Sequence, residues 1–152
     1  GSHNYVHDYP YQVKGKVIAY RDQLNEKLTA VTGRGVSIMR APGGDEKVYI
    51  NEDVHLPLIH WTLVSADAGG NVKNPESEAR RLASKALDGD VILCHDLRSG
   101  TADYTQTLPQ LLAARGFLCV TVEELFAVNG IELAANTVYF GVGSDSYEQR
   151  KD

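Results

Sequence analysis

Apolar residues between Lys16 and Gly33 recur at helical spacing. Val17, Tyr20, Leu24, Leu28 and Val31 share one stripe, and Gly33 stands where a helix stops. The pattern then changes to a short unbroken apolar run, VSIM, leading into RAPGG, which reads as a strand passing into a turn. HLPLIHWTLVS, dense in β-branched and aromatic residues, predicts the next strand and ends at Asp67 before the loop AGGN. Asn74-Pro75 opens a helix, with Asn as cap and Pro at the first helical position; it runs through EARRLASKAL to a break at Asp88-Gly89. VILCH predicts a buried strand, followed by the loop DLRSGTAD. A helix over roughly Thr105 to Arg115 comes next, with Pro109 tolerable only in its first turn and Gly116 ending it. FLCVTV predicts a strand, and Thr121-Val122-Glu123-Glu124 is a capping-box pattern opening the short helix EELFAVN. NTVYFGVG adds a final strand before a polar end.

Near-continuous apolar strands alternating with helices predict a parallel α/β fold. The chain of 152 residues predicts one domain over residues 1–140 and a polar tail over 141–152. Arg40, Asp67 and His95 each fall where a predicted strand gives way to its loop. That edge is where parallel α/β folds build their sites, so three polar residues there form a candidate constellation.

Composition narrows the partners. Apolar residues make up 43% and charged residues 23%, an ordinary globular balance. A net charge of -5 and the lack of a Lys/Arg cluster argue against nucleic acid or an anionic membrane as partner. No apolar run reaches the roughly 18–20 residues of a membrane span. Cys94 and Cys119 lie inside apolar runs, which predicts buried thiols, and no CxxC knuckle is present.

His95 ends an apolar strand and precedes Asp96, a placement suited to an imidazole acting as general acid in a cleft. Arg40 is followed by Pro-Gly-Gly, a turn whose backbone N–H groups can approach a ligand closely. Asp67, taken alone, also fits a loop cap. His55 and His60 flank LPLI and read as structural. His3 and His7 stand four apart, which on a helix puts two imidazoles on one face within reach of one metal ion. Two ligands hold a divalent metal poorly, so a third group is expected. The competing reading is that Gly-Ser-His is an expression-vector remnant.

The order GSHNYVH, MRAPGG, HWTLVSAD, VILCHD and GFLCVTVEELF resembles the NodB-type polysaccharide deacetylases of carbohydrate esterase family four, from the first residue to about Tyr139. The resemblance implies a partial distorted (β/α) barrel and metal-assisted removal of acetyl groups from an N-acetylated or O-acetylated polysaccharide or oligosaccharide. It also implies one divalent ion, zinc first, with cobalt, nickel or manganese as alternatives. His3 and His7 then match the metal-binding H-x-x-x-H block. Arg40 matches the arginine that pairs with the catalytic base, and the N–H of Gly43 the oxyanion donor. Asp67 matches the aspartate that orients the catalytic histidine, His95 the general acid, and Leu93 a residue lining the acetyl-methyl pocket. These groups are expected to serve one pocket.

The sequence departs from the family in one large respect. The Thr-Phe-Asp-Asp-Gly block, which supplies the catalytic base and the third metal ligand, is absent, and no Asp-Asp pair occurs. The expectation is therefore the C-terminal part of a longer domain, needing an upstream peptide that carries the block. Ala68 stands where the family commonly has Trp, and Gly43 where an aromatic residue is frequent. The family places such an enzyme outside the cell or at its surface. A catalytically silent glycan-binding remnant is the alternative from another class, and a plain structural α/β domain a third.

Overall fold

A computed structural model of the chain describes residues 1–8 and 10–143; of the expected polar tail, residues 144–152 lie outside the described residues. The chain divides into two compact units, Gly1–His60 with Glu132–Tyr139, and Trp61–Ile131 with the segment that begins at Phe140. No helix among the described residues is long and apolar enough to cross a membrane.

In the first unit, helix α1 (Pro10–Val13) is followed by α2 (Val17–Thr32). Helix α2 ends as its sequence requires: Gly33 adopts φ 73° and its N–H closes on the Thr29 carbonyl at 2.9 Å, a left-handed cap that glycine forms without a Cβ penalty. The apolar stripe narrows along it, from buried Val17 to Val31, which is 85% exposed. VSIM forms no full strand. Met39 instead bridges Ser2 on one side and Leu58 on the other, both in parallel. Ser2 N–H donates to the Ile38 carbonyl (2.8 Å) and Arg40 N–H to the Ser2 carbonyl (2.9 Å). The first residues are therefore paired with the Met39 segment, and Ser2 is buried.

Pro42–Gly44 makes a tight 3-10 turn and leads into α3 (Glu46–Asn51), a short helix that the apolar pattern does not announce. Strand β1 (Leu58–Ile59) then pairs in parallel with the later β4 (Val138–Tyr139), Leu58 opposite Val138 and Ile59 opposite Tyr139. Val13, Val17, Met39, Tyr49, Val54 and Leu58 form the core of this unit. Burial pushes the Tyr49 phenol up to about 12.

The second unit is built on a βαβ element: β2 (Leu63–Val64), α4 (Pro75–Lys85) and β3 (Ile92–Leu93), with the two strands parallel. HLPLIHWTLVS is thus two strands rather than one. Leu58–Ile59 pairs with β4 and Leu63–Val64 with β3, and residues 60–62 belong to neither ladder. Asn74 caps α4 as expected, its Oδ1 accepting from Ser77 N–H at 3.0 Å.

Helix α5 spans Thr101–Ala114, starting earlier than its apolar pattern predicts and carrying Pro109 in its interior, not its first turn. Gly100 at φ 85° turns the chain into it, and a Cβ there would meet the Val72 carbonyl oxygen at 2.3 Å. Leu108 and Leu112 pack it on Ala79, Leu82 and Ala83 of α4, and this burial holds the helix together across the proline.

Helix α6 (Val122–Val128) begins with the anticipated capping box, Thr121 Oγ1 accepting from Glu124 N–H while the Glu124 carboxylate accepts from Thr121 N–H. FLCVTV is not a strand: among the described residues no strand lies beside 117–120. Cys119 is consequently exposed, not buried, and Cys94 half-buried; both are free thiols. Parallel pairs reached through helices match the α/β class expected from the sequence.

Candidate functional site

Two clusters carry the candidate residues. In the first unit, Asn4 takes φ 63° and folds the first residues back, so His3 and His7 share no helix face. Their rings nevertheless approach edge to face, with centroids 5.1 Å apart. Nδ1 of His3 lies 2.8 Å from the Arg40 carbonyl, and Nη2 of Arg40 donates to Nε2 of His3 at 3.0 Å. A carbonyl only accepts and a guanidinium only donates, so the proton sits on Nδ1 and Nε2 offers its lone pair. That tautomer, with Nδ1–H fixed by a backbone carbonyl, is the one a metal-ligating histidine uses. In this arrangement that lone pair accepts from the Arg40 guanidinium, so the two imidazoles are brought together with His3 Nε2 already engaged. Among the described residues no three His, Cys, Asp or Glu side chains gather into a full ligand set.

Gly43 lies in the Pro42–Gly44 turn at φ 67°, with open space where a Cβ would stand. An aromatic side chain at that position would require a left-handed backbone.

In the second unit, Asp67 sits in the 3-10 turn Ala66–Gly69 that follows β2 and is 0% exposed. Its carboxylate accepts five hydrogen bonds: Oδ1 takes Ser65 Oγ–H and His95 Nδ1–H, while Oδ2 takes His95 N–H, Thr101 Oγ1–H and Tyr104 OH. The His95 imidazole bond is 2.9 Å and the Tyr104 bond 2.6 Å. Burial alone would raise the carboxyl, but the donors from Ser65, Tyr104 and His95 outweigh it and hold Asp67 well below the usual carboxylate range. Burial first, then the bond to Asp67, pushes the Tyr104 phenol far up, so it keeps its proton and always donates. Burial likewise raises the Cys94 thiol.

His95 lies two residues beyond the end of β3, and its side chain is 33% exposed. With Nδ1–H committed to Asp67, Nε2 is the ring atom left for exchange with a substrate. The neighbouring turn is pinned by Glu78 of α4, whose Oε1 accepts from Ala66 N–H at 2.7 Å; hydrogen bonds from Arg81 hold that carboxyl down. Leu93 is buried one residue before Cys94, paired with Val64.

Sequence reasoning named Asp67 and His95 but missed the groups that fix them. Thr101 and Tyr104 stand three apart on the first turn of α5, a spacing that shares one helix face and that the pattern did contain. His60 and His55 also have carboxylate partners. Nδ1 of His60 lies 2.5 Å from Glu46 Oε1 with both side chains largely buried, and Nε2 of exposed His55 lies 3.2 Å from Asp53 Oδ2.

No protein-family model matches the chain. It is 29% identical over 143 residues to the peptidoglycan-N-acetylglucosamine deacetylase PgdA of Listeria monocytogenes, covering 92% of this chain and 29% of that protein. The chain thus spans under a third of the curated relative it matches. Among solved structures it resembles the T48 deacetylase with substrate (TM-score 0.77, 25% identity, covering 91% of this chain and 68% of that one). The fold also matches the family 4 acetyl xylan esterase of Clostridium thermocellum in complex with a cobalt ion (TM-score 0.80, 21% identity, covering 95% and 72%). In sequence and in fold, the chain is a relative of the NodB-type polysaccharide deacetylases of carbohydrate esterase family four.

Proposed function

We propose that this chain carries the acid side of a deacetylase acting on N-acetylated or O-acetylated polysaccharide. One observation carries the reading: a fully buried, ionised Asp67 holds Nδ1–H of a His95 that is itself partly open to solvent. Hydrolysis of an acetamide stalls unless the leaving nitrogen gains a proton as the tetrahedral intermediate collapses. His95 Nε2–H supplies that proton while Asp67 stabilises the imidazolium beforehand and keeps Nδ1–H afterwards. The Gly43 N–H serves the oxyanion, Arg40 the catalytic base, and Leu93 the acetyl methyl group. His3 and His7 would hold one divalent ion, zinc first, which when bound polarises the acetyl carbonyl and acidifies a water. The base and the remaining ligand come from an upstream Asp-Asp segment, because this sequence contains no such pair. The substrate polymer places the activity outside the cell or at its surface.

The test is a deacetylase assay on acetylated chitin oligomers, peptidoglycan and acetylated xylan, with the chain alone and with its upstream segment restored. Activity appearing only on restoration, and lost in His95→Ala, supports the reading. The missing Asp-Asp pair also favours a second reading, a silent glycan-binding remnant. That one predicts glycan binding with no turnover in either form.

A further inference from the structure

Asp67 receives far more donors than a carboxylate needs to orient one imidazole. Ser65 supplies one from its own turn, His95 two, and α5 two more through Thr101 and Tyr104. All these groups lie in the second unit, and Asp67, Thr101 and Tyr104 are buried. We propose that Tyr104 is a positioning residue for the Asp67–His95 pair, its phenol and the Thr101 hydroxyl occupying Oδ2 so that the imidazole meets Oδ1 alone. This rests on the proposed function only in that His95 is taken as the proton donor.

The consequence is chemical as well as geometric. A carboxylate shares its negative charge among its donors, and each neutral donor leaves less of that charge to stabilise an imidazolium. A bare carboxylate grips an imidazolium tightly and makes it a poor acid. One saturated by Tyr104, Thr101 and Ser65 keeps the ring in the Nδ1–H tautomer yet lets Nε2–H leave more readily. The other titratable groups around the carboxylate are the Cys94 thiol, which meets the Tyr104 hydroxyl, and Glu78 on α4, whose charge reaches Asp67 and is paired with Arg81. None of them takes the Tyr104 position on Oδ2.

The experiment is an NMR titration of the His95 ring in the full chain, comparing the parent with Tyr104→Phe, which keeps the ring and removes the hydroxyl. The expected result is a His95 midpoint higher by about one pH unit, the size of one hydrogen bond to a charged group. A folded variant whose His95 midpoint and ring 15N shifts match the parent overturns the proposal. A purely packing role for Tyr104 would lower the melting temperature without moving the midpoint. If Tyr104→Phe does not fold, Thr101→Val removes the other hydroxyl on Oδ2 and is read the same way: a raised midpoint supports the proposal and an unchanged one overturns it. The titration needs no turnover, so a failure to deacetylate even with the upstream segment restored would sink the deacetylase reading without touching this one.

Discussion

Among the described residues, three pairs join an imidazole to a carboxylate, and their surroundings differ. Glu46 and His60, at 13% and 10% side-chain exposure, close on each other in the first unit and bolt α3 to the residue after β1. Asp67 and His95, at 0% and 33%, bury the carboxylate completely and leave the ring half free. Asp53 and His55, at 60% and 63%, meet in water. The same two functional groups make a buried fastener, a sunken carboxylate under a partly open ring, and a loose surface contact. Asymmetry of burial, more than the pairing itself, marks the one suited to chemistry.

The largest test of that contrast is on rate. In a reconstituted deacetylase, His95→Ala should lower turnover by about two to four orders of magnitude, the scale of general acid catalysis, with little loss of stability. His60→Ala should do the reverse. Comparable rate losses in the two variants would erase the distinction. Asp67→Ala should destabilise the second unit by about 4 kcal/mol, because it strands buried donors in place of a shared acceptor; urea unfolding measures it.

The pH dependence of stability follows from the same carboxylate. Asp67 is held far below its ordinary value of 3.8, so the native state prefers the ionised form. Its contribution is complete above that value and drains away as pH falls through it towards the lower folded one. Acid unfolding should therefore steepen below about pH 4. Asp67→Asn should flatten that limb. Glu46→Gln should cost about 2 kcal/mol of stability near neutral pH, one charged hydrogen bond in a largely buried place. The smallest effect belongs to the exposed pair: His55→Asn, which tolerates the φ of 56° there, should change stability by less than about 0.5 kcal/mol.

What the sequence disclosed was local chemistry. The Gly33 stop, the Asn74 cap and the Thr121–Glu124 box are each decided within four residues, and each formed where it was read. Asp67 and His95 could be singled out because each follows a strand of one βαβ unit, so their approach is a consequence of parallel pairing. Non-local decisions were hidden. Nothing within HLPLIHWTLVS says that its two ends take different partners, and FLCVTV has the composition of a strand without a neighbour to make it one. Helix α5 starts at Thr101 where two of its hydroxyls meet a carboxylate 34 and 37 residues away, beyond any reach of periodicity. The meeting of His3 and His7 came from a bend at Asn4, not from helical spacing.

Those long separations bear on how the molecule assembles. Ser65 reaches Asp67 across 2 residues, but His95, Thr101 and Tyr104 do so across 28, 34 and 37. Each distant bond closes a loop whose entropy must be spent before any contact rewards it. A nascent or partly refolded chain thus has no oriented imidazole, and the Asp67–His95 pair matures only as its surrounding unit completes.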